Sequence, residues 1–246
     1  MSDWLNVFYN LQVTETCNLR CLGCTLWNRD VSGDLEESLR NLIYNDTFFS
    51  IYPRRKIYNI IGGEPSNFRA LPDVLSYLKN NSIKNYLWTN LTMDSENLME
   101  CLPFVNRLFV YLPFPSKESY ENFTGEASYE TILYNLQILK KRKIPVSFYC
   151  PVTPENISWL PDIYEFAYQN KAELILYWNP KRSTLSKESV QFLKRYKRVK
   201  NVWLIKTKPV PDTYCPGLPY GPMSDSLAFL RGAAHQLFLK YGGIFV

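Results

Sequence analysis

Cys17-Asn18-Leu19-Arg20-Cys21-Leu22-Gly23-Cys24 follows directly on an apolar segment, Leu5 to Val13. Three thiols on one short loop cannot all pair as disulfides, because one is left over. They can face a single point, the arrangement that holds soft metals and iron–sulfur clusters. Three ligands for a four-iron cluster leave one iron open to chemistry. A structural zinc loop is the rival reading, with a fourth ligand elsewhere such as the lone His235.

Outward from this loop the sequence alternates. Val7 to Val13 is rich in β-branched and aromatic residues and reads as a strand. Asp34 can cap a helix running to about Phe48, with Leu35, Leu39, Leu42 and Ile43 at helical spacing. Lys56 to Ile61 is a second strand, ending in Gly62-Gly63-Glu64-Pro65. The pattern continues with helix 72–80, strand 84–88 into Thr89-Asn90, and a short helix to Cys101. Strand 107–112, helix 129–142, strand 144–150, helix 157–168, strand 173–178, helix 186–198 and a seventh strand at 202–206 complete it.

Such alternation means βαβ units on a parallel sheet. Six or more units predict a partial (β/α)6 TIM-like barrel of mainly parallel strands. Chemistry in these folds sits at the carboxyl ends of the strands. The cysteine loop, Gly62-Gly63-Glu64 and Thr89-Asn90 each follow a predicted strand, so all three converge on one rim.

The 246 residues suffice for a substantial core, and 46% hydrophobic with 21% charged residues is the balance of an ordinary globular protein. A net charge of +5 is too mild for a dedicated nucleic-acid binder. The basic set Lys187, Lys194, Arg195, Lys197, Arg198 and Lys200 reads first as a solvated helix face, an acidic-peptide or RNA site being the lesser reading. No signal peptide or membrane span is visible, which predicts a cytoplasmic protein and disfavours a disulfide scaffold. Cys101 and Cys150 read as small buried hydrophobes. Tyr111, Tyr149, Tyr177 and Trp178 near strand ends are candidates for a cavity lining, although strand alternation must turn half of them outward.

With Cys17, Cys21 and Cys24 in the spacing Cys-three-Cys-two-Cys, and Gly62-Gly63-Glu64-Pro65 at the second strand end, the chain resembles the radical S-adenosylmethionine (radical SAM) superfamily. The resemblance covers about residues 5 to 206. It implies a [4Fe-4S] cluster held by Cys17, Cys21 and Cys24, with S-adenosyl-L-methionine (SAM) chelating the open iron. It further implies reductive cleavage of SAM to a 5′-deoxyadenosyl radical that abstracts hydrogen from a peptide or small metabolite. Gly62, Gly63 and Glu64 would hold the methionine ammonium, and Thr89 and Asn90 would touch the ribose or methionine. An electron donor such as flavodoxin or ferredoxin is implied as partner. A glycyl-radical activase is the alternative within enzymes, and a metal-binding regulatory module retaining the fold is the alternative outside them.

The chain departs from the family pattern in places. Gly23 stands where many members carry an aromatic residue near the adenine, which leaves that contact to backbone or to Trp27. Val110-Tyr111-Leu112-Pro113 lacks the Ser and Asp often found on the fourth strand, and Phe148-Tyr149-Cys150-Pro151 lacks the usual small residues on the fifth. Segment 115–143, with Tyr120 and Gly125, still resembles the loop and helix after the fourth strand in the peptide- and molybdopterin-type branches. Residues 1–208 are expected to form the barrel and 209–246, rich in proline, an irregular C-terminal extension. There Cys215 and Gly243 resemble the start of a SPASM or twitch domain without its further cysteines, so no auxiliary cluster is expected.

Overall fold

A computed structural model describes residues 8–22, 24, 34–51, 57–178 and 183–206. Seven strands alternate with helices: β1 (Phe8–Thr14), α1 (Asp34–Tyr44), α2 (Phe48–Ile51), β2 (Ile57–Gly62), α3 (Leu71–Asn80), β3 (Asn85–Thr89), α4 (Ser95–Cys101) and β4 (Arg107–Tyr111). Then come α5 (Lys117–Thr124), α6 (Tyr129–Arg142), β5 (Val146–Pro151), α7 (Leu160–Gln169), β6 (Glu173–Trp178), α8 (Lys187–Arg195) and β7 (Val202–Lys206). The strands lie in chain order, and all six neighbouring pairs are parallel. The expected partial α/β barrel is therefore what forms, open between β1 and β7, with the seventh strand in register with β6.

Strand alternation divides the side chains into two layers. Leu11, Val13, Tyr58, Ile60, Leu87, Leu108, Val110, Phe148 and Leu174 face the helices. They pack with Val74, Leu78, Leu98, Ile132, Leu136 and Ile163 in one continuous core. The opposite face carries Tyr149, Ile175 and Tyr177, with Trp88, Phe109 and Tyr111 packed against them. Asn10 and Asn59 bond to one another across β1 and β2 at 2.9 Å. The concave side of the sheet is thus filled by aromatic rings, with Trp88 and Phe109 stacked at 4.1 Å.

Several expected bounds move, each for a local reason. The first helix stops at Tyr44, because Asp46 takes φ 52° and turns the chain before α2. The fifth strand begins at Val146, after Pro145. Residues 157–159 form a 3-10 turn before α7, whose first turn contains Pro161. Helix α5 is capped by Ser116 and stopped by Gly125, which takes the left-handed φ of 72°. Among the described residues no helix is long and apolar enough to cross a membrane. Gly23, Trp27, Cys215, His235 and the extension 209–246 lie outside the described residues.

Candidate active site

The cysteine loop is placed by its neighbours. A bulge in β1, where Gln12 pairs with Ile61 but Thr14 with Gly62, re-aims the chain at the barrel rim. The emerging backbone then lies on the turn after β2: Gly63 N–H donates to Thr14 O at 3.1 Å and Glu64 N–H to Thr16 O at 2.8 Å. A Cβ on Gly63 would sit 2.1 Å from Thr16 O, and one on Gly62 would sit 2.6 Å from Thr14 O. The two glycines therefore admit the backbone that carries the cysteines. On its other side the loop rests on the end of α5, where Arg20 N–H donates to Thr124 O at 2.8 Å and Leu22 N–H to Phe123 O at 3.0 Å.

Glu64, Thr89 and Asn90 form one buried network. Glu64 Oε1 accepts from Thr89 Oγ1 at 2.7 Å and from Ser66 N–H at 3.2 Å, and Oε2 accepts from Asn90 N–H at 2.7 Å. Asn90 Nδ2 donates to Asn18 Oδ1 at 2.9 Å, and Asn18 Nδ2 to Thr92 Oγ1 at 2.6 Å. Thr92 Oγ1 in turn donates to Asn90 Oδ1 at 2.6 Å. Asn18 stands between the first two cysteines, so this ring ties the cysteine loop to the end of β3. Spacing alone did not reveal this role for Asn18 and Thr92. The only signal was a short amide side chain between the first two cysteines.

Cys17, Cys21 and Cys24 are half-buried and line one cleft with Glu64, the Gly62-Gly63 turn and the ends of β3 to β5. Burial pushes the Cys17 and Cys21 thiols up to about 12, each raised further by charge on the neighbouring cysteines. Free thiolates are disfavoured there, and a metal supplies the compensation that ionises such ligands. Burial also raises Glu64, against the hydrogen bonds from Asn90, Thr89 and Ser66 that lower it. No Lys or Arg forms an ion pair with Glu64 among the described residues.

Among the described residues no three His, Cys, Asp or Glu side chains converge tightly enough to hold one metal ion. Tetrahedral zinc with bonds near 2.3 Å needs sulfurs about 3.8 Å apart. Three thiols on one loop are one donor short of a closed zinc site among the described residues, whereas a [4Fe-4S] cluster can take each thiolate on a different iron, so the donor set fits such a cluster.

The aromatic candidates sort by face. Tyr111 and Tyr149 line the cavity, Tyr177 lies in the same interior group, and Trp178 packs outward against the helix-side core. Cys101 and Cys150 are buried in the outer core, so Cys150 faces away from the cavity.

A family model described as the Radical SAM superfamily matches residues 11–167. The chain belongs to the radical SAM superfamily. An Fe-coproporphyrin III synthase of Methanosarcina barkeri is 22% identical over 68% of this chain and 42% of its own. A probable GTP 3',8-cyclase of Methanocaldococcus jannaschii is 28% identical, over 63% of this chain and 53% of its own. Streptococcus suis SuiB bound to S-adenosylmethionine superposes with a TM-score of 0.61 at 15% identity, over 82% of this chain and 51% of that one. SuiB is also solved with its precursor peptide SuiA. The chain spans about half the length of the curated relatives it matches. At these identities the structural likeness shows the fold alone.

Proposed function

We propose that this radical SAM protein binds a [4Fe-4S] cluster through Cys17, Cys21 and Cys24 and cleaves SAM reductively, modifying a peptide or a small metabolite. The observation that carries the reading is a buried carboxylate with no cationic partner among the described residues, set beside three thiols in one cavity. Cys17, Cys21 and Cys24 would hold the cluster, which would supply the electron for reductive cleavage of SAM and so for hydrogen abstraction from the substrate.

The chain's own residues bind and shield. Glu64 is held rigidly by three donors and offers its negative charge to a ligand that is cationic at both ammonium and sulfonium. Thr89 and Asn90 hold Glu64 and the cysteine loop in mutual register, in addition to any direct touch on SAM. Trp88, Phe109 and Tyr149 close the barrel beneath the site, which keeps water from a reactive carbon radical. A reductant such as flavodoxin or ferredoxin would supply the electron. A peptide substrate draws support from SuiB, whose fold this chain shares and which is solved with a precursor peptide.

Anaerobic reconstitution tests the reading. About four iron and four sulfide per chain, with 5′-deoxyadenosine released under dithionite, is the expected result. A colourless protein that holds zinc and leaves SAM intact would overturn it.

A further inference from the structure

We propose that the amino-terminal rim of the barrel, below β5 to β7, binds single-stranded nucleic acid. Phosphates rest on a band of lysines and arginines, and bases stack on exposed Tyr168 and Trp203. This surface lies outside the proposed function and does not depend on the cluster.

Each helix returns from the carboxyl rim of the parallel sheet, so the ends of α6, α7 and α8 meet at the amino rim. One cleft there is lined by Lys140 at the end of α6, by Asn170 and Lys171 after α7, and by Asn201 before β7. Leu174 N–H donates to Asn201 O at 2.9 Å, which holds the last two turns side by side. A second cleft is lined by Gln191, Lys194, Arg195, Lys197 and Arg198.

Ten of the chain's 28 Lys and Arg sit at this rim, four at 140–143, one at 171 and five at 194–200, which leaves 18 against 23 Asp and Glu in the whole chain. The mild net charge thus hides a strongly basic end on an otherwise acidic protein. All ten are exposed, and none pairs with an acid among the described residues. The acid that lines the first cleft, Glu173, is held by Arg107. The helix macrodipole does not account for the band. It favours cations in a last turn, yet α1, α3, α4, α5 and α7 carry only Lys79 there between them. Lys143, Lys171, Lys197, Arg198 and Lys200 lie beyond their α-helices.

Two flat rings lie open at the same end. Tyr168, in the last turn of α7, is 65% exposed and stacks on Tyr164 at 6.3 Å. Trp203, second in β7, is 59% exposed. An acidic peptide would pair with the cations without using either ring. A single strand uses both, since its bases stack on aromatic faces while its phosphates take the cations. The rim lies one strand length, about 20 Å, from the cysteine end of the sheet, so nucleic acid held there is a bound partner and leaves that end free.

The test is fluorescence anisotropy of labelled polyuridylate of about 16 nucleotides, titrated with the full chain at several salt concentrations. The expected result is saturable binding whose log affinity falls with log salt. Lys197→Gln/Arg198→Gln should weaken binding about tenfold and make the slope shallower by about 1.4, from two contacts at about 0.7 each. Tyr168→Ala should also weaken binding about tenfold but leave the slope unchanged, because stacking releases no counterions. Lys79→Gln/Lys84→Gln, around α3 and β3, should change neither value, and an equal loss there overturns the inference. Absence of binding at low salt overturns it as well. So does duplex RNA bound as tightly as the strand, or octaglutamate or phosphatidylserine vesicles bound more tightly. Cluster content does not enter the readout, so failure here leaves the proposed function standing.

Discussion

Gly63 shows how little room the site leaves at the scale of single atoms. A methyl group there would overlap Thr16 O at 2.1 Å and Thr16 C at 2.5 Å, both backbone atoms that cannot rotate aside. Gly63→Ala must therefore push the cysteine loop off the turn after β2. The expected cost is about 3 kcal/mol, the upper end for overpacking, read by urea unfolding together with a loss of iron uptake. Gly125→Ala is milder, because the strain is a left-handed backbone, costing about 1–2 kcal/mol. Cys21→Ala separates chemistry from stability. It removes a half-buried thiol with little core volume, so the fold should survive while colour and SAM cleavage are lost. The sequence announced these cysteines and glycines by type and spacing, but the reason for the glycines was hidden. It depends on the approach of residues 14–16, some fifty positions away, which no local pattern records.

At the scale of elements, the loop after β3 is the part most exposed to a remote change. Leu91 takes φ 61°, an unusual conformation for a branched side chain. It is held there by Asn135 of α6, whose Nδ2 donates to Leu91 O at 3.0 Å and to Met93 O at 2.8 Å, with Asn135 fully buried. Asn135→Leu leaves two buried carbonyls without that donor. The expected cost is about 2–4 kcal/mol by chemical denaturation, from one to three for each unsatisfied group with partial relief by water. Asn90 and Thr92 sit on the same loop and brace Asn18, so the variant should also release iron faster to a chelator. Helix α6 itself was legible from Ile132, Leu133, Leu136 and Leu139, whereas this asparagine reads on a helical wheel as a polar position at the edge of the stripe. Helix α5 was not legible, since eight residues with few apolar positions carry little periodic signal in a stretch read as a loop.

Taken whole, the molecule is a sheet whose seven strands follow chain order, which is why alternation of apolar strands and amphipathic helices sufficed to read the barrel. Strand order, once parallel and sequential, also fixes which turns share a rim, so the convergence of the cysteine loop, Glu64 and Asn90 followed from pattern. The sorting of Tyr111, Tyr149 and Tyr177 inward and Trp178 outward required the exact register, which a one-residue slip reverses. The same rim couples ligand to fold. The cysteine loop is tied to the turn after β2, to the loop after β3 and to the end of α5 by separate hydrogen bonds. A ligand seated there clamps three parts of the sheet and stabilises the folded state by its own binding energy. With SAM at a hundredfold over its dissociation constant the gain is about 2.7 kcal/mol. For a protein of this size that is a rise of about 5–11 °C in Tm. Scanning calorimetry under nitrogen should show that rise in the cluster-loaded protein. On the proposed function it should shrink to a small fraction after chelation of the iron, because the cluster held by Cys17, Cys21 and Cys24 would anchor one end of SAM. An equal rise with and without iron would mean that SAM binds without the cluster, and that Glu64 and its neighbours hold it unaided.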